Sequence, residues 1–149
     1  MKNLSIPFAR PLISKEEIEA TNKVLSKHIL THGPHCRNFE KDFGVFHNNS
    51  FAVTLSNCTS ALFLALKSLD IGAGDEVIVP AMTHIATAHA VLHTGANVVF
   101  ADIDSNTGNI DPAKIIQKIN SKTRAVIVVH YVGLPCNMDE IMGIINENN

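Results

Sequence analysis

The sequence predicts an α/β fold, a mostly parallel sheet with helices on both faces. Two observations support this prediction. From Phe51 onward, short apolar runs alternate with stretches of helical periodicity, as in repeated β–α units. Residues 125–129 are continuously apolar, as expected for a strand that is buried on both of its faces.

The composition indicates one globular domain. Of the 149 residues, 46% are hydrophobic and 17% are charged, which excludes a disordered chain. The net charge of −2 and the aromatic content of 5% argue against a nucleic acid or an anionic membrane as partner. No apolar run is long enough to span a membrane, and the first ten residues lack the pattern of a signal peptide. Three widely spaced cysteines form no pair, so we expect a reduced, cytoplasmic protein.

Residues 1–50 are predicted to form an N-terminal arm and two helices. Two prolines keep residues 6–11 extended. Ser14 and Glu17 have the spacing of a capping box, which begins a helix that we expect to end near His28.

A turn at residues 31–34 separates the two helices of this N-terminal segment. Beyond it, Phe39, Phe43 and Phe46 recur at helical spacing and predict the second helix.

Residues 51–149 are predicted to form an α/β unit with four strands and four helices. Leu62, Leu66 and Leu69 lie on one face of the first of these helices, Gly95 ends the second, and Pro112 stands in the first turn of the third. The strands are expected at residues 51–55, 76–79, 98–101 and 124–129. The helices are expected at residues 59–69, 85–94, 112–120 and 137–147.

The candidate site lies in the loops that follow the strands, because open α/β sheets bind ligands beyond the carboxyl ends of their strands. The loop 56–60 leads into a helix whose first amides, together with the hydroxyls of Thr59 and Ser60, suit a phosphate group. Ordinary N-capping of a buried helix explains the same residues.

A single histidine, His84, follows the second predicted strand at the same edge of the sheet. An imidazole at this position can stack on a flat ligand, act as a base or bind a metal ion. A structural histidine that is hydrogen-bonded to the backbone is an equally good interpretation.

Three further patterns are interpreted as structural. Two groups of potential metal ligands are not predicted to form a site, because the turn at residues 33–34 breaks the helical register of the first and the second is a pair without the glutamate of an HExxH motif. They are His28, His32, His35 and Cys36 in one group, and His89 and His93 in another. Asp102, Asp104 and Asn106 begin like a calcium loop, but Thr107 and Ala113 break the pattern, which leaves a turn capped by Asx side chains. Residues 72–75 form a turn from helix to strand, since they precede a strand rather than follow one.

Nine stretches, taken in order, resemble the DegT/DnrJ/EryC1/StrS family of pyridoxal-phosphate-dependent sugar aminotransferases. They are residues 6–11, 31–34, 56–62, 74–80, 83–88, 95–96, 102–104, 109–111 and 129–133. The resemblance implies part of the large domain of a fold-type-I aminotransferase, without the small C-terminal domain.

The same resemblance implies a cofactor, substrates and site residues. The cofactor is pyridoxal 5′-phosphate, the acceptor is a keto sugar usually carried on a nucleotide, the amino donor is glutamate or glutamine, and the full-length enzymes are homodimers. Thr59 and Ser60 match the residues that contact the cofactor phosphate. His84 matches the residue whose ring stacks on the pyridine, where other members have Phe, Tyr or Trp. Cys58 stands where many members have Gly.

The resemblance also implies what this sequence lacks. In the family, the Schiff-base lysine and the carboxylate that pairs with the pyridine nitrogen lie beyond the segment that matches residues 129–133. No lysine follows Gly133, so we expect an N-terminal fragment that has no catalytic residue of its own and does not transaminate alone. The alternative is a non-catalytic remnant or module that binds a partner chain or a phosphorylated ligand. For His130 and Tyr131, substrate contact and a structural role both stay open.

Overall fold

The computed structural model describes residues 7, 9–48 and 51–148. The chain divides into two compact units, Met1–Thr54 and Leu55–Asn149, and each unit is described here by itself. None of the helices in these ranges is long and apolar enough to cross a lipid bilayer.

The first unit contains helix α1, Lys15–Leu25, which begins at the predicted capping box. The backbone N–H of Ser14 donates to a carboxylate oxygen of Glu17 at 2.6 Å. The Ser14 hydroxyl oxygen accepts from the N–H of Glu16 at 3.1 Å. The helix ends three residues before the predicted end at His28. It ends early because the N–H of Lys27 bonds to the carbonyl three residues back, which closes a tight turn.

The second helix of this unit, α2, is Pro34–Phe46. Gly33 is its N-cap, so Pro34 occupies the first helical position instead of the predicted turn. A proline fits there because its missing N–H has no partner in any helix. Of the predicted arm at residues 6–11, positions 7 and 9–11 are neither helix nor strand, and Ile6 and Phe8 lie outside the described residues.

The strand predicted at residues 51–55 is wrong, since these residues have no regular secondary structure. A strand needs a neighbour to complete its hydrogen-bond ladder, and the strands that the structure describes pair only with one another. Instead, the backbone N–H and the hydroxyl of Thr54 both donate to one carboxylate oxygen of Glu40, at 2.8 and 2.7 Å. These two bonds lower the pKa of the Glu40 carboxyl.

The second unit contains the described sheet, which has three parallel strands in the order β2-β1-β3. The helices are α3, Cys58–Ser68; α4, Ala86–Leu92; α5, Pro112–Ile116; and α6, Met138–Glu147. The strands are β1, Glu76–Pro80; β2, Asn97–Ala101; and β3, Thr123–Val126. The central strand β1 therefore pairs on both of its sides, and the predicted parallel α/β fold is confirmed.

Helices cover both faces of this sheet, and the side chains of β1 alternate between them. Val77 and Val79 pack on one side with Leu66 of α3 and with Ala90 and Val91 of α4. On the opposite side, Ile78 belongs to a cluster that α5 and α6 complete. This second cluster contains Ile78, Ala101, Ile110, Ile115, Cys136, Ile141 and Ile144.

Helices α4 and α5 and strand β3 are shorter than predicted, and α4 ends at Leu92 rather than residue 94. Helix α5 ends at Ile116 rather than residue 120, because Asn120 starts the turn into β3: its N–H donates to the Thr123 hydroxyl at 3.0 Å. Strand β3 ends at Val126 rather than residue 129. The last bond of its ladder runs from the N–H of Ile127 to the carbonyl of Ile78, at 2.8 Å.

Candidate functional site

The first part of the candidate site is the start of helix α3. Asn57 is its N-cap, and its extended backbone lets the side-chain oxygen accept from the N–H of Ser60 at 2.8 Å. Cys58 is exposed, whereas Thr59 and Ser60 are half-buried.

Several donors at the start of α3 stay available. Within the described part of the chain, no acceptor is bonded to the N–H of Cys58 or Thr59, or to the hydroxyl of Thr59 or Ser60. The first turn carries no acidic residue. The positive end of an eleven-residue helix is therefore not neutralised by its own side chains, which suits an anion.

The second part is the loop between β1 and α4, which carries His84. The ring is exposed, and its Nδ1 accepts from the N–H of Ala86 at 3.1 Å. An accepting Nδ1 leaves the proton of the neutral imidazole on Nε2. The backbone-bonded interpretation of His84 is thus correct for Nδ1, while Nε2 and the ring remain available to a ligand.

Other residues of this loop are also fixed. The N–H of Ala81 donates to the carbonyl of Ala101 at 2.8 Å, and the hydroxyls of Thr83 and Thr87 share a hydrogen bond of 2.9 Å. The loop thus extends from the end of β1 to the first turn of α4 along a defined path.

The two parts of the site belong to helices that pack on the same face of the sheet. Leu66 of α3 and Val91 of α4 share one apolar cluster, and the rings of Phe63 and His93 meet edge to face with centroids 6.4 Å apart. Thr59 and Ser60 lie at the beginning of α3 and His84 lies just before α4, so each segment leads into one of these two packed helices.

Asn109, whose role no pattern in the sequence indicates, organises a third loop. Asn109 is buried, and its amide nitrogen donates to the carbonyls of Leu134 and Pro135 at 3.0 and 3.2 Å. Its side-chain oxygen accepts from the N–H of Tyr131 at 2.8 Å. Three bonds from one side chain therefore hold the turn that follows β3.

The structure gives His130 a structural contact in the same loop, since its Nδ1 accepts from the N–H of Cys136 at 3.0 Å. The thiol of Cys136 is buried and donates to the carbonyl of Val129 at 3.3 Å. Burial raises the pKa of this thiol.

The acidic segment after β2 forms the predicted Asx-capped turn. One carboxylate oxygen of Asp104 accepts from the N–H groups of Asn106 and Thr107, at 2.8 and 3.0 Å, and these bonds lower the pKa of the Asp104 carboxyl. The predicted turn at residues 72–75 is also present, with the N–H of Gly72 bonded to the Asp75 carboxylate. In the described ranges, no three His, Cys, Asp or Glu side chains come together around one possible metal position.

Comparison with known proteins gives a consistent family. Residues 11–149 match the model of the DegT/DnrJ/EryC1/StrS aminotransferase family. The chain is 46% identical to the spore coat polysaccharide biosynthesis protein SpsC of Bacillus subtilis over 96% of its length. It is 40% identical to GDP-perosamine synthase of Escherichia coli O157:H7 over 97% of its length.

Solved structures agree with these sequence matches. Spr1654 of Streptococcus pneumoniae, solved in its PLP form, is 34% identical and superposes with a TM-score of 0.90, covering 97% of this chain and 37% of the other. An aminotransferase from Psychrobacter cryohalolentis is 40% identical with a TM-score of 0.88, covering 96% of this chain and 37% of the other.

The chain spans 37% of the length of SpsC and 40% of that of GDP-perosamine synthase. The matching region contains the start of α3, the His84 loop and the Asn109 loop, in the order in which the structure describes them. The family model and the solved structures thus agree with the fold built from the residues, and the chain belongs to the DegT/DnrJ/EryC1/StrS aminotransferase family.

Proposed function

We propose that this chain supplies the phosphate-binding and ring-stacking part of a pyridoxal 5′-phosphate site in a sugar aminotransferase. The proposed reaction moves an amino group from glutamate or glutamine to a keto sugar, most simply one carried on a nucleotide. Family membership supports this proposal, as do two relatives, one a spore coat polysaccharide biosynthesis protein and the other a GDP-perosamine synthase. The observation that carries it is the start of α3, with its available donors and no acidic residue.

The residues at the start of α3 fit a phosphate monoester. The hydroxyls of Thr59 and Ser60 and the N–H groups of Cys58 and Thr59 are donors without partners among the described residues. A doubly charged phosphate also interacts favourably with the positive end of the helix. Because Asn57 already holds the N–H of Ser60, we assign the phosphate to the two preceding amides and the two hydroxyls.

His84 fits the role of the stacking ring. The bond from Ala86 to its Nδ1 restricts rotation of the imidazole, and its exposed ring can lie against a flat heterocycle. When bound, the cofactor supplies an electron sink for the carbon that loses or gains the amino group. The part that this chain provides is to hold the phosphate and to fix the plane of the ring.

Amino transfer also needs a lysine and a carboxylate, which the family resemblance implies on segments that follow residues 129–133. The described residues contribute the phosphate and ring contacts of the proposed site, so binding of the cofactor phosphate is the property by which these residues can be tested.

An alternative function, binding of a partner chain, is favoured by one observation on the first unit. Phe39, Phe43 and Phe46 lie at helical spacing along α2, all three side chains are exposed, and a continuous exposed apolar face commonly marks an interaction surface. A homodimer would satisfy this alternative as well as the family resemblance. Light scattering at rising concentration tests it: a monomer throughout argues against association.

The free thiols of Cys36, Cys58 and Cys136 support a reducing, cytoplasmic location.

Binding of pyridoxamine 5′-phosphate tests the proposed site, because this amine form does not react with surface lysines as the aldehyde does. Titration followed by ligand fluorescence should give saturable binding at one site. Removing one hydroxyl that donates to the phosphate, in Thr59→Ala or Ser60→Ala, should weaken binding about tenfold, the effect of one hydrogen bond to a charged group.

Ser68→Ala is the matched control for this titration. Ser68 lies at the opposite end of α3, and its hydroxyl donates to the carbonyl of Ala65 at 2.7 Å, away from the first turn. Binding should be unchanged in this variant. Equal affinity for pyridoxamine without its phosphate, or an equal loss in Ser68→Ala, would contradict the proposed site.

A further inference from the structure

Two side chains from different loops converge on Gly108. Its φ is +72°, a backbone conformation that glycine adopts without strain. A Cβ placed on this residue would lie 2.7 Å from Cδ1 of Tyr131 and 2.9 Å from Cε of Met82. The absence of a side chain at position 108 therefore makes room for both the phenol ring and the methionine methyl.

The backbone of Tyr131 is held in place by Asn109. Its N–H donates to Asn109, the residue next to Gly108, and the same Asn109 side chain binds the carbonyls of Leu134 and Pro135. The turn includes Val132 at a φ of +52°, which a β-branched residue rarely adopts. A strained backbone of this kind persists because the surrounding bonds impose it.

Met82 connects the contact between Tyr131 and Gly108 to the loop of His84. The loop residues on either side of Met82 are tied by their own bonds, Ala81 to Ala101 and Thr83 to Thr87. The side chain of Met82 instead extends to Gly108. The position of its methyl group is therefore coupled to the path of the backbone that leads to His84.

We propose that Gly108 and Tyr131 are positioning residues for His84, and that they act through Met82. The Tyr131 ring packed on Gly108 narrows the positions open to the Met82 side chain, which is 37% exposed, and thereby narrows the orientations in which the loop presents the imidazole. The benefit to cofactor binding rests on the proposed function, since it follows from a ring that is oriented before the ligand arrives. The coupling from Gly108 to His84 does not depend on a ligand.

The coupling can be measured by NMR on the ligand-free chain with labelled methionine methyl groups and histidine rings. Met82→Leu and His84→Phe assign the two signals. Gly108→Ala and Tyr131→Ala should shift both the Met82 methyl and the His84 ring signals. Tyr131→Phe keeps the aromatic ring and should leave both signals unchanged. Met82→Ala should shift the His84 signal although Tyr131 and Gly108 are unaltered.

Gly74→Ala is the matched control for backbone strain. Gly74 also has a positive φ, +96°, but a Cβ there would meet nothing within 4 Å. This variant should lose stability without moving the His84 signal. Affinity for pyridoxamine 5′-phosphate should fall by about threefold to tenfold in Gly108→Ala and Tyr131→Ala, which lies within the range of coupling between neighbouring residues, and should stay unchanged in Tyr131→Phe.

The outcomes separate this inference from the proposed function. If the wild-type chain does not bind pyridoxamine 5′-phosphate, the proposed function fails, and the NMR signals still decide the coupling. A His84 signal that stays unchanged in both Gly108→Ala and Tyr131→Ala overturns the inference, as does an equal shift in Gly74→Ala.

Discussion

The side-chain oxygen of Asn57 accepts a hydrogen bond from the backbone N–H of Ser60 at 2.8 Å. This bond satisfies one of the amides at the start of α3 and leaves the hydroxyl of Ser60 unused among the described residues. Ser60 is thus divided between two roles: its amide stabilises the helix, and its hydroxyl is free for a ligand. Substitutions at Asn57 and Ser60 should therefore separate folding from binding.

Loss of the Asn57 cap should destabilise the protein without removing any proposed phosphate donor. Asn57→Ala should lower the free energy of unfolding by about 1 kcal/mol, measured by urea denaturation. Asn57→Asp keeps an accepting oxygen, so stability should be retained, while its negative charge should weaken binding of pyridoxamine 5′-phosphate. If Asn57→Asp binds the ligand as well as wild type does, the assignment of the phosphate to the start of α3 is contradicted.

Loss of the buried amide at Asn109 should be costly. Asn109→Ala removes three hydrogen bonds at once and leaves the N–H of Tyr131 and two carbonyls without their partner. We expect the free energy of unfolding to fall by about 2–3 kcal/mol. The neighbouring Asn106 is exposed, so Asn106→Ala should change stability by less than about 0.5 kcal/mol. Comparable losses in the two variants would contradict the role assigned to Asn109.

Acidification should destabilise the turn that Asp104 caps, which leads into Gly108 and Asn109. Two backbone bonds lower the pKa of the Asp104 carboxyl in the folded protein below its value in the unfolded chain. The ionised carboxylate therefore contributes stability above the unfolded pKa, and this contribution is lost as pH falls through the lower, folded pKa.

Unfolding measured between about pH 5 and pH 2, the range in which aspartates titrate, should show this loss. Asp104→Asn keeps an accepting oxygen but does not titrate, so its stability should depend less steeply on pH over the same range. Identical pH profiles for the two proteins would rule out the contribution assigned to Asp104.

The centre of the sheet should tolerate truncation poorly. Ile78 is fully buried between α5 and α6 on its face of β1, so Ile78→Ala should cost about 2–5 kcal/mol of unfolding free energy. Ile116 is 54% exposed at the end of α5, and Ile116→Ala should cost far less. Urea denaturation of both variants measures the difference, and equal costs would contradict the assignment of Ile78 to the core.

Local signals in the sequence were sufficient for the elements whose causes are local. The capping box of Ser14, the proline that opens α5 and the Asx turn of Asp104 each depend on residues within one turn of the chain, and all three are present. Residues 51–55 have the composition of a strand, but a strand forms only beside a partner, which composition does not specify.

The same distinction explains what was missed in the candidate site. The bonding partners of the Asn109 side chain lie 22 to 26 residues further along the chain, and no periodicity connects them. The positive φ of Gly108 is a local reason for glycine in the turn after Asp104, but the approach of Tyr131 and Met82 from two other loops has no local signature. Only the folded chain brings these groups together.

The position of β1 between two parallel partners has a consequence for local opening. Val77, Ile78 and Val79 are fully buried, and the strand has a hydrogen-bonded neighbour on each side. Successive amides of β1 point to opposite neighbours, so each amide is released only when its own ladder opens, and exposing the whole strand requires both ladders to separate. Deuterium uptake at these amides should therefore be the slowest in the second unit.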